Sequence, residues 1–215
     1  MSFDRLAPFY RAMEFFTAGG KLQRCRTALL GEIPVPSRIL LAGEGHGRTL
    51  AAVVKKFPDA QIVVVDSSAG MLEVARANGP TGDRVEFVLA DLLTWEAQPG
   101  SFDLIVTNFF LDCFPADQLP VVVSNLAKMA TPQASWLLAD FQVAEGPVAG
   151  LRSKVILALL YAFFRVVCGL EAEKLHSPDA ALAQAGFSRQ QRVTSEWGLL
   201  KSEWWLRVSA PDDFA

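Results

Sequence analysis

The sequence predicts an α/β domain built on a doubly wound sheet of seven strands, mostly parallel, with one antiparallel strand near the C-terminus. Three observations carry that expectation. Short unbroken apolar runs bounded by turn residues recur along the chain, helical stretches alternate with them, and the last two strand-like runs follow one another with no room for a helix between. An apolar run without alternation reads as a strand buried on both faces. Alternation with helices argues for parallel order, and two consecutive strands argue for an antiparallel pair at the sheet edge.

In chain order, residues 9–30 read as one or two helices, stopped by Gly31 and the Pro34/Pro36 pair. Residues 37–42 are the first strand, followed by a glycine turn at 43–47 and a helix over 49–57. Ile62 to Val65 is the second strand, ending at Asp66. Ser67 or Ser68 then caps a helix that Asn78, Gly79 and Pro80 stop. Val85 to Leu89 is the third strand and Phe102 to Thr107 the fourth. A helix runs from Pro115 to Ala130, and Ser135 to Ala139 is the fifth strand. Phe187 to Thr194 and Leu199 to Val208 form the terminal pair, with a turn around Trp197 and Gly198.

Length and charge bound the function. A chain of 215 residues suits one well-buried domain. Net charge is −3, and Lys and Arg are scattered, so no basic stripe marks a nucleic-acid partner. Cys25, Cys113 and Cys168 are odd in number, far apart and free of any C-x-x-C, which fits a reducing, cytoplasmic setting. His46 and His176 are the only histidines, so no metal site is expected. The first residues carry acid early and lack the apolar core of a signal peptide.

One segment stands apart. Val155 to Phe164 is an unbroken apolar run, bracketed by Arg152, Lys154 and Arg165 and continuing to Leu170. Ten apolar residues are too few to cross a bilayer and most often mean a core helix. A lid over an apolar substrate, or peripheral membrane contact through 151–170, are the sharper readings.

The chemistry-bearing features fall at the ends of successive strands. Gly43, Gly45 and Gly47 follow the first, Asp66 the second and Asp91 the third. Glycine lets a backbone approach a ligand closely. Ligands of doubly wound sheets bind beyond these strand ends, with a ribose-binding acid about 20 residues after the glycine turn. An Asp after a strand is, taken alone, most often a turn former; all three features in order are another matter. The spacing is G-x-G-x-G. Arg48 stands where the dinucleotide fingerprint requires glycine.

On these residues the chain resembles the class I S-adenosylmethionine-dependent methyltransferases, and among them the small-molecule group that includes the ubiquinone and menaquinone enzymes. The glycine motif matches residues 41–47, the ribose acid Asp66, the following helix Met71 and Leu72, the adenine-side acid Asp91 with Leu92, and the fourth-strand motif 102–108. Residues 182–187 are similar to the family's helix-Gly-Phe entry to the last strands, and 3–10 to the segment that closes over the cofactor.

The resemblance implies a Rossmann-like core at 37–141, an N-terminal helical cap at 1–36, an apolar helical insertion at 146–175 and a C-terminal helix and strand pair at 176–215. It implies S-adenosylmethionine as cofactor, held by Tyr10, Gly43, Glu44, Gly45, Gly47, Asp66, Ser67, Met71, Asp91, Leu92 and Asn108. The family's acid two residues before the first glycine is Leu41 here, and Glu44 is the substitute inside the loop. Phe3 replaces a common aromatic hydroxyl, whereas Tyr10 is retained.

The function that follows is methyl transfer to a small, apolar acceptor of quinone-like, lipid-like or aromatic type. Tyr10, Phe109 and Phe110 are candidate faces for the positive sulfur. Asp112, His176 and Tyr161 are substrate-side candidates, with an exposed cap-region histidine the plainer account of His176. The rival functions are a non-enzymatic S-adenosylmethionine-binding or partner subunit, suggested by Leu41, and an NAD(P)-binding oxidoreductase, which Asp66 suits and the glycine spacing does not.

Overall fold

The computed structural model describes residues 19–45, 47–80 and 82–208; the segment around Phe3 and Tyr10, and His46, lie outside them. Seven strands form a single sheet in the order β3-β2-β1-β4-β5-β7-β6. β1 (Arg38–Ala42) lies between β2 (Gln61–Asp66) and β4 (Phe102–Asn108), parallel to both, with β3 (Val85–Leu89) outside β2. β5 (Ala130–Phe141) continues the parallel half beside β4. β7 (Leu200–Arg207) inserts antiparallel between β5 and β6 (Phe187–Ser195). The expected single antiparallel strand is therefore β7, and the terminal pair closes one edge.

The apolar runs form strands because both faces are covered. Successive side chains point to opposite faces. Ile39, Leu41, Ile62, Val64, Leu104 and Val106 join one core, with Leu50, Val53 and Leu72 from helices α2 (Arg48–Lys56) and α3 (Ala69–Asn78). Leu40, Ala42, Val63, Val65 and Ile105 join the other, with α4 (Leu119–Met129). The stretch after α1 (Gly19–Thr27) adds Leu29, Leu30 and Ile33 to the first core. β6 faces outward and is exposed over most of its length.

The largest boundary differences from the sequence expectation lie on either side of residue 130. The helix expected from Pro115 begins at Leu119, after a turn in which Gln118 N–H donates to the Pro115 carbonyl. Pro120 fixes that start, because proline is tolerated only in the first helical turn. β5 begins at Ala130 rather than Ser135 and runs on to Phe141. Ala130 pairs with Phe102 and Ser135 with Leu104, so residues 131–134 form an irregularity within the strand.

The apolar run is the centre of a longer helix, α5 (Pro147–Cys168). Pro147 opens it, and Gly169, in the left-handed conformation at φ 67°, closes it. The Leu170 N–H reaches the Phe164 carbonyl and the Gly169 N–H the Arg165 carbonyl, which satisfies carbonyls that the helix end leaves open. α5 is not a core helix. Leu157 and Tyr161 are buried, whereas Leu151, Val155, Leu159, Phe163 and Val166 are exposed. A final short helix, α6 (Asp179–Gln184), precedes β6.

Trp136 ties β5 to its surroundings. It is fully buried, donates Nε1–H to Thr107 Oγ1 at 2.9 Å and meets Phe187 edge-on at 5.3 Å. Trp136→Ala is expected to destabilise the domain by about 3–5 kcal/mol, read from urea unfolding.

Candidate active site

The parallel strands end along one edge, and a cavity of about 490 Å³ lies beyond it. Gly43, Glu44 and Gly45 after β1, Asp66 and Ser67 after β2, Asp91 and Leu92 after β3, and Asn108 at the end of β4 all line it. Met71 of α3 closes this side. The cavity continues past Phe109 and Phe110 to Asp112, and then to Ile156, Leu160 and Phe164 of α5.

The glycine turn is shaped by backbone conformation. Gly43 has φ 67°, and a Cβ there would stand 2.1 Å from the Phe110 ring. Gly47 has a different task from the one expected. It is the left-handed residue that opens α2, a Cβ on it would meet the Ala75 carbonyl of α3 at 2.9 Å, and it does not line the cavity.

Glu44 explains the departure at Leu41. Leu41 is buried in the sheet core. The Glu44 carboxylate instead accepts the N–H groups of Thr49 and Leu50, at 2.7 and 3.0 Å, and so caps α2 from inside the loop. A carboxylate at a helix N-terminus satisfies otherwise open donors. Burial nevertheless pushes its carboxyl up to about 7, against the pull of those hydrogen bonds and of Arg26.

The two strand-end aspartates are held by their own turns. Asp66 Oδ1 accepts the Ser68 N–H at 2.9 Å, and Asp91 Oδ1 accepts the Leu93 N–H at 2.9 Å. Ser68, not Ser67, caps α3, accepting the Met71 N–H at 3.2 Å; Ser67 is left exposed at the cavity. Asn108 is buried and donates Nδ2–H to Thr49 Oγ1 at 3.2 Å. Its Oδ1 has no partner among the described residues.

This side of the cavity is rich in acceptors. Glu44, Asp66, Asp91 and the open Asn108 Oδ1 suit a ligand that presents hydroxyls and an ammonium. They do not suit a pyrophosphate, which is held by clustered donors.

At the other side, the 3₁₀ turn Leu111–Cys113 carries Asp112 into the wall. Its carboxyl meets that of Asp140, the penultimate residue of β5, which is fully buried. Burial raises Asp112 to about 6, and burial together with the Asp112 charge raises Asp140 well above the ordinary range. Tyr161 is committed structurally. Its hydroxyl donates to the Asp112 carbonyl at 2.8 Å, and burial next to two acids drives its pKa up.

Sequence reasoning missed Asp140 and Arg26. Asp140 carries a usable signal, an acid at a strand end, one residue past the run 135–139 that reads as the fifth strand. Arg26 of α1 lies 5.1 Å over the Phe109 ring and lines the cavity, and no local pattern marks it. His176 precedes α6 and is outside the cavity lining. Tyr10 lies outside the described residues.

Residues 39–133 match a family described as a methyltransferase domain. Over those residues, from β1 into β5, the chain is similar to methyltransferase domains. The chain is 38% identical over 111 residues to trans-aconitate 2-methyltransferase of Methylobacterium radiotolerans, covering 49% of this chain and 41% of that protein. It is 36% identical over 105 residues to malonyl-[acyl-carrier protein] O-methyltransferase of Priestia megaterium, covering 48% and 36%. The chain thus matches about two-fifths of the length of these curated relatives.

Likeness of fold extends further than the sequence match. A Burkholderia thailandensis 1,6-didemethyltoxoflavin-N1-methyltransferase, solved with 1,6-didemethyltoxoflavin and S-adenosylhomocysteine, superposes with TM-score 0.64 at 17% identity, covering 94% of this chain and 85% of that one.

The Glu44 carboxyl sets a pH dependence. Its folded value of about 7 lies above the ordinary glutamate value of about 4.3, so the folded state binds the extra proton. Its contribution is full below the ordinary value and is lost as pH rises through about 7. Glu44→Gln keeps an acceptor oxygen and removes the titration. The fall in unfolding free energy between about pH 5 and pH 8 is expected to become shallower in this variant, as read from urea unfolding at each pH.

Proposed function

We propose that this chain transfers a methyl group from S-adenosylmethionine to a small, apolar acceptor. The observation that carries the reading is the continuity of one cavity, from the glycine turn and strand-end acids to the apolar inner face of α5. Asp66 would accept from the ribose hydroxyls, Asp91 and Leu92 would bound the adenine, and Asn108 Oδ1 would accept from the ammonium.

The sulfonium supplies an already activated methyl group. The protein's task is then to hold the acceptor in line with it, and orientation alone is worth about 7–11 kcal/mol in well-aligned cases. Phe109 and Phe110 line the cavity and are candidate aromatic neighbours of the positive sulfur. Ile156, Leu157, Leu160 and Phe164 exclude water and favour an apolar acceptor.

Calorimetry tests the donor half. S-adenosylmethionine and S-adenosylhomocysteine are expected to bind, and Asp66→Ala to weaken both about 10- to 100-fold, the worth of hydrogen bonds to a charged group. Preference for NADH, or no binding by the folded protein, would sink the reading.

The outer face of α5 supports contact with an anionic lipid surface, from which an apolar acceptor is drawn. Leu151, Val155, Leu159 and Phe163 are exposed on it, and the helix's charged residues, Arg152, Lys154 and Arg165, are all basic. Co-sedimentation with phosphatidylglycerol vesicles is expected for the wild type and not for Leu159→Asp/Phe163→Asp. Equal recovery of both proteins in the supernatant would rule the contact out.

A further inference from the structure

The acceptor side of the cavity holds two buried carboxyl groups against one another. Asp112 faces the cavity from the turn after β4, and Asp140 stands behind it at the end of β5. Asp140 Oδ1 accepts the Phe141 N–H at 2.8 Å. Its Oδ2 is buried without a donor among the described residues. Two carboxylates in contact in an apolar wall cannot both remain ionised, and one proton between them satisfies both.

The groups around the pair do not replace that proton. Tyr161 of α5 donates to the Asp112 main-chain carbonyl, leaving the carboxyl open. Cys25 of α1 points its thiol at the Lys201 carbonyl, and burial beside Asp140 raises it to about 12. The Cys113 thiol lies 3.5 Å from Asp112 Oδ1, a weak donor at its limit. The Lys201 ammonium of β7 acts on Asp140 at a distance and is itself bonded to Asp179 and Glu203. Arg26 lies over Phe109, and Lys21 is paired with Glu196.

Resting on the methyl-transfer reading, we propose that Asp112 and Asp140 form a proton-sharing pair in which Asp112 is the catalytic base for a neutral, phenol-type hydroxyl acceptor and Asp140 positions it. The wall around Asp112 is aromatic, with Phe110, Phe114, Phe141 and Phe164. It suits a flat, neutral ring. A carboxylic acid acceptor arrives already ionised, needs no base, and meets the negative charge of the pair. This separates the chain from relatives named for trans-aconitate.

The step balances. As the acceptor oxygen bonds to the methyl carbon, the carbon–sulfur electron pair returns to sulfur, which becomes neutral. The O–H proton passes to Asp112, and the singly protonated pair becomes doubly protonated until it releases that proton to solvent.

The test has two arms. In the first, the carboxyl carbons of ¹³C-labelled aspartate are titrated by NMR in wild type, Asp112→Asn and Asp140→Asn. Two coupled steps are expected in the wild type, collapsing to one in either variant. Independent titration of both groups at ordinary carboxylate values would overturn the pair.

The second arm measures methyl transfer to 1-naphthol and to benzoate, with S-adenosylhomocysteine affinity as the check on folding. Asp112→Asn is expected to lower kcat for the naphthol about 10²- to 10⁴-fold at unchanged S-adenosylhomocysteine affinity, and to abolish the acidic limb of the pH profile. Asp140→Asn is expected to move that limb to lower pH. Turnover of benzoate but not the naphthol, no turnover of the naphthol by protein that binds S-adenosylhomocysteine, or full-rate Asp112→Asn would overturn the proposal. Failure of the wild type to bind S-adenosylhomocysteine would instead remove the methyl-transfer reading and the catalytic role with it, leaving the NMR arm to decide the pair.

Discussion

The parallel register of β1 with β2 and β4 is the constraint on which the rest depends. Ala42 pairs with Val65 on one side and Thr107 on the other, so three strands reach the same level together. Their next residues, Gly43, Asp66 and Asn108, are thereby delivered to one rim. A slip of one residue would turn every core side chain to the opposite face. Burial on both faces makes such a slip prohibitive, so the hydrophobic effect that stabilises the sheet also sets the positions of the polar groups beyond it.

The rim combines two electrostatic regimes. Asp91 is exposed and held by its own turn. Glu44, Asp112 and Asp140 are enclosed, and their charged forms are disfavoured by burial. The enclosed acids make different bargains. Glu44 gains two helix N–H donors, whereas Asp112 and Asp140 have chiefly one another. A pair of that kind weakens the fold near neutral pH and is common where a protein handles protons.

Much of the fold was legible because its determinants are local. Apolar runs, a serine cap at 67 or 68 and the stop at Gly79 act within a few residues, and the strand-end positions of Gly43, Asp66 and Asp91 follow from them. What was not legible depends on tertiary context. Asp140 belongs to the rim only because β7 pairs with β5 as far as Phe141 and prolongs it beyond Ala139. Arg26 reaches the cavity because α1 crosses over β5 and β7, a packing that no periodicity encodes. The family resemblance places Gly47 at the cofactor, yet the approach of α3 decides its role. The start of α4 was misplaced because Pro115 resembles a helix opener as much as Pro120 does.

The placement of β7 between β5 and β6 has a consequence for biogenesis. β6 leaves the ribosome before the strand that must lie between it and the rest of the sheet. Until residues 200–207 emerge, β5 presents an unpaired edge over Ser135 to Phe141, and β6 has nothing to pair with. Open edges of this kind are templates for association between chains. The Lys201 and Glu203 pair that joins Asp179, Arg189 and Arg192 then locks the last strand from within. Nascent chains stalled before residue 200 therefore carry the sheet's greatest liability to aggregate.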